Sequence, residues 1–132
     1  MKTEDHLNNI KESLEVINES IQKGIEKRQR NLAFNISTAS AEMLEVFLHK
    51  LNILHPSAMI KHDWFGSIRK AEEKLKFEFP HKREIIKIIY EIESKRNPLC
   101  YGKPQPKETI ESIINSFNRL KEIFEKEGLT WN

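Results

Sequence analysis

The chain has 132 residues, which is enough for one domain (1–132) built around a single core. Its net charge of +2 gives no global attraction to nucleic acid, and its one cysteine excludes an internal disulfide and a cysteine-based zinc site. No apolar run approaches the roughly 18 residues that a membrane span needs, and the N-terminus lacks a signal-peptide core. We therefore expect a cytoplasmic protein that makes no contact with a membrane.

Apolar residues that recur at steps of three and four predict two long helices in the first half of the chain. The first, capped by Thr3 or Asp5, is predicted to run to about Lys27. The second, capped by Asn31, is predicted over about 32–52 and should be the most buried helix, because additional residues widen its apolar stripe. Those additional residues are Phe34, Ala41, Leu44 and Leu48.

A short third helix and a longer fourth helix are predicted next. A loop over 53–61 leads to the third helix over about 64–76, for which Asp63 is the predicted cap. Pro80 suits the first turn of the fourth helix, where a missing backbone N–H costs nothing. The isoleucines that follow keep helical spacing between charged flanks, which favours a helix over a strand.

The fourth helix is predicted to end or kink at Asn97, because Pro98 disfavours the helical conformation of the residue before it. After a loop, a fifth helix is predicted from near Pro106 to just before Gly128, followed by a short tail, 129–132. Five amphipathic helices with short connections predict an all-α fold, an antiparallel up-and-down bundle.

In a five-helix bundle of this kind, the loop between the second and third helices lies at the same end as the loop between the fourth and fifth. The N-terminus of the first helix belongs at that end too. The residues predicted there are His6, His55, Lys61, His62, Trp64, Arg96 and Tyr101. His81 is predicted at the opposite end.

The common signatures of chemistry are missing from the sequence. The five histidines show no metal-ligand spacing, and the sequence has no glycine-rich phosphate loop and no nucleophile elbow. We therefore predict neither a metal nor a cofactor. Cys100 follows Lys95 and Arg96 closely, which could make it reactive, but a lone cysteine is more often a small buried hydrophobe.

The positive charge is concentrated in one stretch. Residues 82–107 carry seven basic and three acidic side chains, a balance of +4, so the rest of the chain is negative. A solvated helix face commonly explains such a run. Arg96 also stands near a predicted helix end, where a cation suits the helix dipole and a guanidinium can bind a phosphate through two hydrogen bonds. An ordinary helix C-terminus followed by a loop explains the same residues.

The segment Arg96-Asn97-Pro98-Leu99-Cys100-Tyr101 resembles the signature of the HEPN family. That signature is an arginine, usually followed by asparagine or another polar residue, then four to six residues and a histidine. The resemblance implies an antiparallel helical bundle that is usually dimeric. It also implies metal-independent RNA cleavage, often as a toxin beside a nucleotidyltransferase antitoxin, or non-catalytic binding of RNA or a nucleotide.

The resemblance also assigns roles to single residues. Arg96 would hold the scissile phosphate, and Tyr101 stands where the family has the histidine that activates the 2′-hydroxyl. Tyrosine, with a pKa of about 10, is a poor base near neutral pH. Toxin members often carry a tyrosine two residues further on, where this chain has Lys103. His62 is the histidine best placed to act as a surrogate base, although a surface histidine beside the predicted cap Asp63 is the commoner explanation.

The leading hypothesis is a HEPN-like module that binds RNA or a nucleotide through Lys95, Arg96, Asn97 and Lys103, or that docks on a nucleotidyltransferase partner, with weak or absent nuclease activity. The alternatives are a toxin-type ribonuclease and a plain helical dimerisation module. We expect a homodimer because Met59, Phe65 and the small residues of the second helix, 37–41, suggest spare apolar surface. A close helix contact inside the chain is the commoner explanation of the small residues.

Overall fold

The computed structural model describes residues 2–131, and all regular secondary structure in that range is helical. In chain order the elements are α1 (Thr3–Lys23), α2 (Gln29–Lys50), a 3-10 helix (His62–Gly66), α3 (Ile68–Lys74), α4 (Lys82–Tyr101) and α5 (Lys107–Lys126). The predicted all-α class and the five α-helices are confirmed for this range. Asn132, the end of the predicted tail, lies outside it. None of the described helices is long and apolar enough to cross a membrane.

α2 lies at the centre of the bundle and packs against α1, α4 and α5. Near its C-terminus, the Phe47 ring lies against Phe79, just before α4, and against Phe124, near the end of α5. At its start, Oε1 of Gln29 accepts a hydrogen bond of 2.9 Å from the backbone N–H of Gln105, just before α5. α2 is therefore antiparallel to α4 and parallel to α5, and the short turn after α1 makes α1 antiparallel to α2.

α2 is buried on almost every side, as its wide apolar stripe predicts. Its small residues pack inside the chain: Ala39 and Ser40 are fully buried, and Oγ of Ser37 donates a hydrogen bond to Glu93 of α4. The prediction that Phe34 adds to the buried stripe is wrong, because its side chain lies on the solvent side and is 49% exposed. The small-residue face is thus an intrachain contact and leaves no apolar surface to spare.

Phe65 is a core residue, which contradicts its predicted place on spare apolar surface. It is fully buried in the 3-10 helix, whereas Met59, just before that helix, is 59% exposed. The 3-10 helix replaces the predicted first turn of the third helix. Ser67 then caps α3 by accepting a 3.0 Å hydrogen bond through Oγ from the backbone N–H of Lys70, so the predicted cap Asp63 is wrong.

The other predicted caps are also wrong. α1 begins after Lys2 and α2 begins after Arg28, and neither helix has a side-chain cap, so Thr3, Asp5 and Asn31 do not cap them. α1 ends before the predicted Lys27. Gly24 ends it with a φ of +118°, a conformation that side-chain-bearing residues rarely adopt.

Pro98 lies inside α4. The helix was predicted to end or kink at Asn97, and the predicted end at that residue is wrong. The helix continues to Tyr101, and the backbone N–H of Gly102 donates to Pro98 O over 3.1 Å. A proline within a helix costs about 3 kcal/mol. Leu99 and Cys100, which follow it, are 2% and 6% exposed, and burial of one leucine side chain contributes about 1.5–3 kcal/mol. Burial of the last turn of α4 therefore offsets the free-energy cost of the proline.

The connection between α2 and α4 changes the predicted topology. α3 has only seven residues and does not span the bundle, so α4 begins at the end where α2 finishes. His6 and His55 consequently lie at the opposite end from Arg96 and Tyr101, and their predicted proximity is wrong. His81, which precedes α4, lies far from Arg96 as predicted.

Candidate functional site

The guanidinium of Arg96 lies between two exposed aromatic rings. Its Cζ atom is 5.8 Å from the ring centroid of Phe34 on α2 and 6.0 Å from that of Tyr101 at the end of α4. Both distances are within the range of a cation–π interaction. Phe34 is 49% and Tyr101 70% exposed, so the two rings offer surface to a ligand while they hold the cation between them.

Most donors of the Arg96 guanidinium are uncommitted. Nη1 lies 3.5 Å from Oδ1 of Asn97, at the limit of a hydrogen bond, and Nε is buried without a hydrogen-bond partner among the described residues. Two of the other five arginines lie against carboxylates: Arg69 Nε is 3.2 Å from Glu73, and Arg119 Nη1 is 3.6 Å from Glu91. Arg96 is therefore equipped to donate several hydrogen bonds to an incoming anion.

Glu93, one turn before Arg96, connects this surface to His62. Its side chain is 8% exposed, Oε1 accepts from Oγ of Ser37, and Oε2 lies 3.3 Å from Nδ1 of His62. Burial raises the pKa of the Glu93 carboxyl. The hydrogen bond from Ser37 and the positive charges of His62 and Arg96 act in the opposite direction without outweighing burial.

A cleft of about 520 Å³ opens beside the two rings. Its apolar part comes from Leu99 and Cys100 together with Phe34 and Tyr101. The turn between α1 and α2 adds Lys27 and Arg28 together with the acidic Glu26, and the first turn of α2 adds Arg30. A lining that combines apolar side chains with three cations and one acid suits a ligand that carries both a flat ring and an anionic group.

The predicted binding residues gather around this cleft to different degrees. Arg96 is partly buried beside Phe34 and Tyr101, which line the cleft, Asn97 is exposed beside Arg96, and Lys95 is partly exposed on α4. Lys103 is exposed and stands between Gly102 and Pro104, both of which line the cleft. The tertiary structure therefore brings Lys103 to the rim of the cleft and places the other three residues on the adjoining surface.

Cys100 is not a reactive thiol of this cleft. Its side chain is buried, Sγ lies 3.9 Å from Arg30 O, and burial raises the pKa of the thiol. A raised pKa lowers the fraction of thiolate, the nucleophilic form. The residue fits the interpretation as a small buried hydrophobe.

Sequence reasoning missed several residues of the site. Phe34 was assigned to the core because its position also fits the apolar period of α2. Glu93 was counted only as one acid within a basic run. The cluster Lys27-Arg28-Gln29-Arg30 carried a usable signal, because three of four consecutive residues are cations at a helix boundary.

Comparison of the chain with protein-family models, with curated proteins and with solved structures gave no match. Within residues 2–131, no group of three or more His, Cys, Asp or Glu side chains is arranged to hold a metal ion. Fold and site together define the chain as an all-α bundle with a basic, aromatic-lined cleft.

Proposed function

We propose that the protein is a HEPN-like module that binds single-stranded RNA or a nucleotide at the surface around Arg96, with weak or absent nuclease activity. The observation that carries the proposal is the Arg96 guanidinium, which lies between the exposed rings of Phe34 and Tyr101 with donors uncommitted. Unpaired bases stack on aromatic rings, and a guanidinium binds phosphate.

A single strand fits this surface better than a duplex. Stacking on Phe34 or Tyr101 requires a base whose face is free, and the bases of a duplex are stacked on one another. The positive side chains at the cleft, Lys27, Arg28 and Arg30, extend the surface along a backbone of phosphates. Because the net charge of the chain is only +2, this local concentration supplies the electrostatic attraction.

A toxin-type ribonuclease is the second candidate, and one observation favours it. His62 is half exposed and Glu93 lies against its Nδ1, which is the way a carboxylate orients a catalytic imidazole. Tyr101 in the position of the family's histidine argues against efficient cleavage, since tyrosine is a poor base near neutral pH. Incubation of the parent and of His62→Ala with single-stranded RNA separates the two candidate functions. Cleavage by the parent that is absent in His62→Ala supports the ribonuclease.

The resemblance also implies two partners, a second copy of the chain and a small nucleotidyltransferase, and we include both in the proposal. The side chains that support an interface are exposed aliphatic residues outside the lining of the cleft, namely Ile21, Leu51, Met59 and Ile68. Sedimentation that shows a monomer at tens of micromolar, well above the Kd of a stable interface, would contradict the homodimer and with it the dimerisation-module alternative. An adjacent reading frame for a nucleotidyltransferase would support the other partner.

RNA binding is tested by Arg96→Ala with Arg69→Ala as its control. Both variants remove one arginine, but Arg69 is 90% exposed on α3 and is paired with Glu73. Loss of one charged phosphate contact costs about 1.5–3 kcal/mol, on the order of ten- to a hundredfold in Kd. Fluorescence anisotropy with a labelled single-stranded oligonucleotide should show this loss for Arg96→Ala alone. Equal binding by the parent and Arg96→Ala would overturn the proposed function.

A further inference from the structure

We propose that His62 is a second, pH-dependent contact for RNA phosphate, placed beside Arg96 by the buried carboxylate of Glu93. This contact rests on the proposed function and adds to it a regulation by pH. It assigns the start of the 3-10 helix, which carries His62, to the RNA-binding surface.

The geometry places the two cations along one face of α4. Glu93 and Arg96 are three residues apart on that helix, which corresponds to about 4.5 Å of rise along the axis. His62 comes from the 3-10 helix and brings Nδ1 to 3.3 Å from Oε2 of Glu93. The imidazole therefore lies about one helical turn from Arg96, so an extended strand that contacts one cation with a phosphate can reach the other.

Glu93 is buried whereas His62 is half exposed, as a contact between His62 and a ligand requires. The Glu93 side chain is 8% exposed, and its second oxygen accepts from Ser37, so the carboxylate is directed inward. The His62 side chain is 49% exposed. Glu93 thus holds the imidazole from the protein side and leaves the other side open to solvent and to an anion.

Charged groups of both signs surround His62. The 3-10 helix packs against α2, α3 and α4. Glu93 and Arg96 are on α4 and the uncharged Ser37 is on α2, α3 carries Arg69, Lys70, Glu72, Glu73 and Lys74, and the chain neighbours of His62 are Lys61 and Asp63. Of these, Glu93 is in direct contact with the imidazole and favours its charged form. Histidine is the side-chain type whose charge ordinarily changes between about pH 5 and about pH 8, and this interval sets the conditions of the test.

The sign of the pH effect separates this role from catalysis. A protonated imidazole attracts phosphate, so binding should strengthen as pH falls through the pKa of His62 and weaken as pH rises. A general base must be neutral, so His62-dependent cleavage would instead increase as pH rises through the same pKa.

The experiment measures the Kd of a fluorescein-labelled oligouridylate by anisotropy at about pH 8 and at about pH 6, the interval over which histidine changes its charge. The readout is the ratio of the two values. For the parent we expect about tenfold tighter binding at the lower pH, the size of one charged contact. For His62→Gln the two Kd values should be nearly equal. His55→Gln, an exposed histidine at the other end of the bundle, should keep the ratio of the parent.

A second measurement does not depend on variants. The NMR titration of the His62 ring in the parent should show its midpoint move to higher pH when the oligouridylate is bound, because protonation and binding are linked. A pH ratio that persists in His62→Gln, or a midpoint that RNA leaves unchanged, would overturn the contact while Arg96-dependent binding still stands. Absence of RNA binding at every pH would overturn both the contact and the proposed function.

Discussion

His6 on α1 and Glu45 on α2 form an ion pair inside the bundle, at the end opposite to the cleft. Both side chains are almost completely buried, at 4% and 3% exposure, and the other ring nitrogen of His6 lies 3.2 Å from Glu42 Oε2. Glu45 also accepts a 2.7 Å hydrogen bond through Oε1 from the backbone N–H of Ile60. One carboxylate thus joins α1, α2 and the segment that leads to the 3-10 helix.

The first prediction concerns this pair. His6→Ala leaves the Glu45 carboxyl buried without its imidazole partner, and a buried polar group left without its partner costs about 1–3 kcal/mol. Urea unfolding followed by circular dichroism should show that loss. His55→Ala, at the same end but exposed, is the control and should change the free energy of unfolding by less than about 0.5 kcal/mol. Equal stability of the two variants would show that the ion pair does not hold α1 on α2.

The second prediction concerns His49, whose ring lies 6.1 Å from that of His6. Burial lowers the pKa of His49, and the neighbouring Glu45 opposes that effect without outweighing it. The pKa of His49 is therefore lower in the folded protein than its unfolded value of about 6.5. The contribution of His49 to the free energy of unfolding is present above that unfolded value and is lost as pH falls through the folded pKa.

Unfolding of the parent and of His49→Gln over a series of pH values tests this sign. Burial raises the pKa of Glu42, which acts in the opposite sense: its contribution is present at low pH and is lost as pH rises. The comparison of the two proteins removes the Glu42 contribution because both contain that residue. The parent should lose more stability than His49→Gln as the solution becomes more acidic than about pH 6.5, and parallel pH profiles would contradict the prediction.

The third prediction separates stacking from hydrogen bonding at the cleft. Phe34→Leu and Tyr101→Leu each remove an exposed ring and should weaken binding of single-stranded RNA by about 1–3 kcal/mol, the contribution of one stacked base. Tyr101→Phe keeps the ring and should bind nearly as the parent does. Met59→Leu changes an exposed apolar side chain away from the cleft and serves as the control in the same anisotropy assay. Unaltered binding by both leucine variants at the rings would remove stacking from the proposal.

The fourth prediction concerns the chemistry at position 101. Tyr101→His places a group with a pKa of about 6.5 at the position of the family's histidine, about 6.0 Å from the Arg96 guanidinium as the ring now stands. We expect this variant to cleave a single-stranded RNA faster than the parent. The double variant Arg96→Ala/Tyr101→His should lose the gain because nothing then holds the phosphate. Gel analysis of the products measures this, and a gain that survives without Arg96 would exclude the assigned roles.

Short-range features of the site could be read from the sequence, whereas contacts across the bundle could not. The motif residues Arg96, Asn97 and Tyr101 stand close together in the chain, so a local pattern was sufficient to find them. Phe34 and His62 reach the same surface from other elements. Phe34 fits the apolar spacing of α2 just as a core residue does. The sequence pattern therefore does not show that its side chain lies on the exposed side of the helix.

The sequence by itself determined the helical class and the burial of α2, because a period of three to four apolar residues is a local property of the chain. Only the tertiary structure decided how far α4 extends and which end of the bundle holds which histidines. Pro98 stays within α4 because Leu99 and Cys100 are packed in the core. His6 lies far from Arg96 because α3 is too short to span the bundle. The extent of α4 depends on contacts between residues distant in the chain, and the arrangement of the ends depends on how α3 and its flanking segments pack between α2 and α4; no local pattern of residues specifies either.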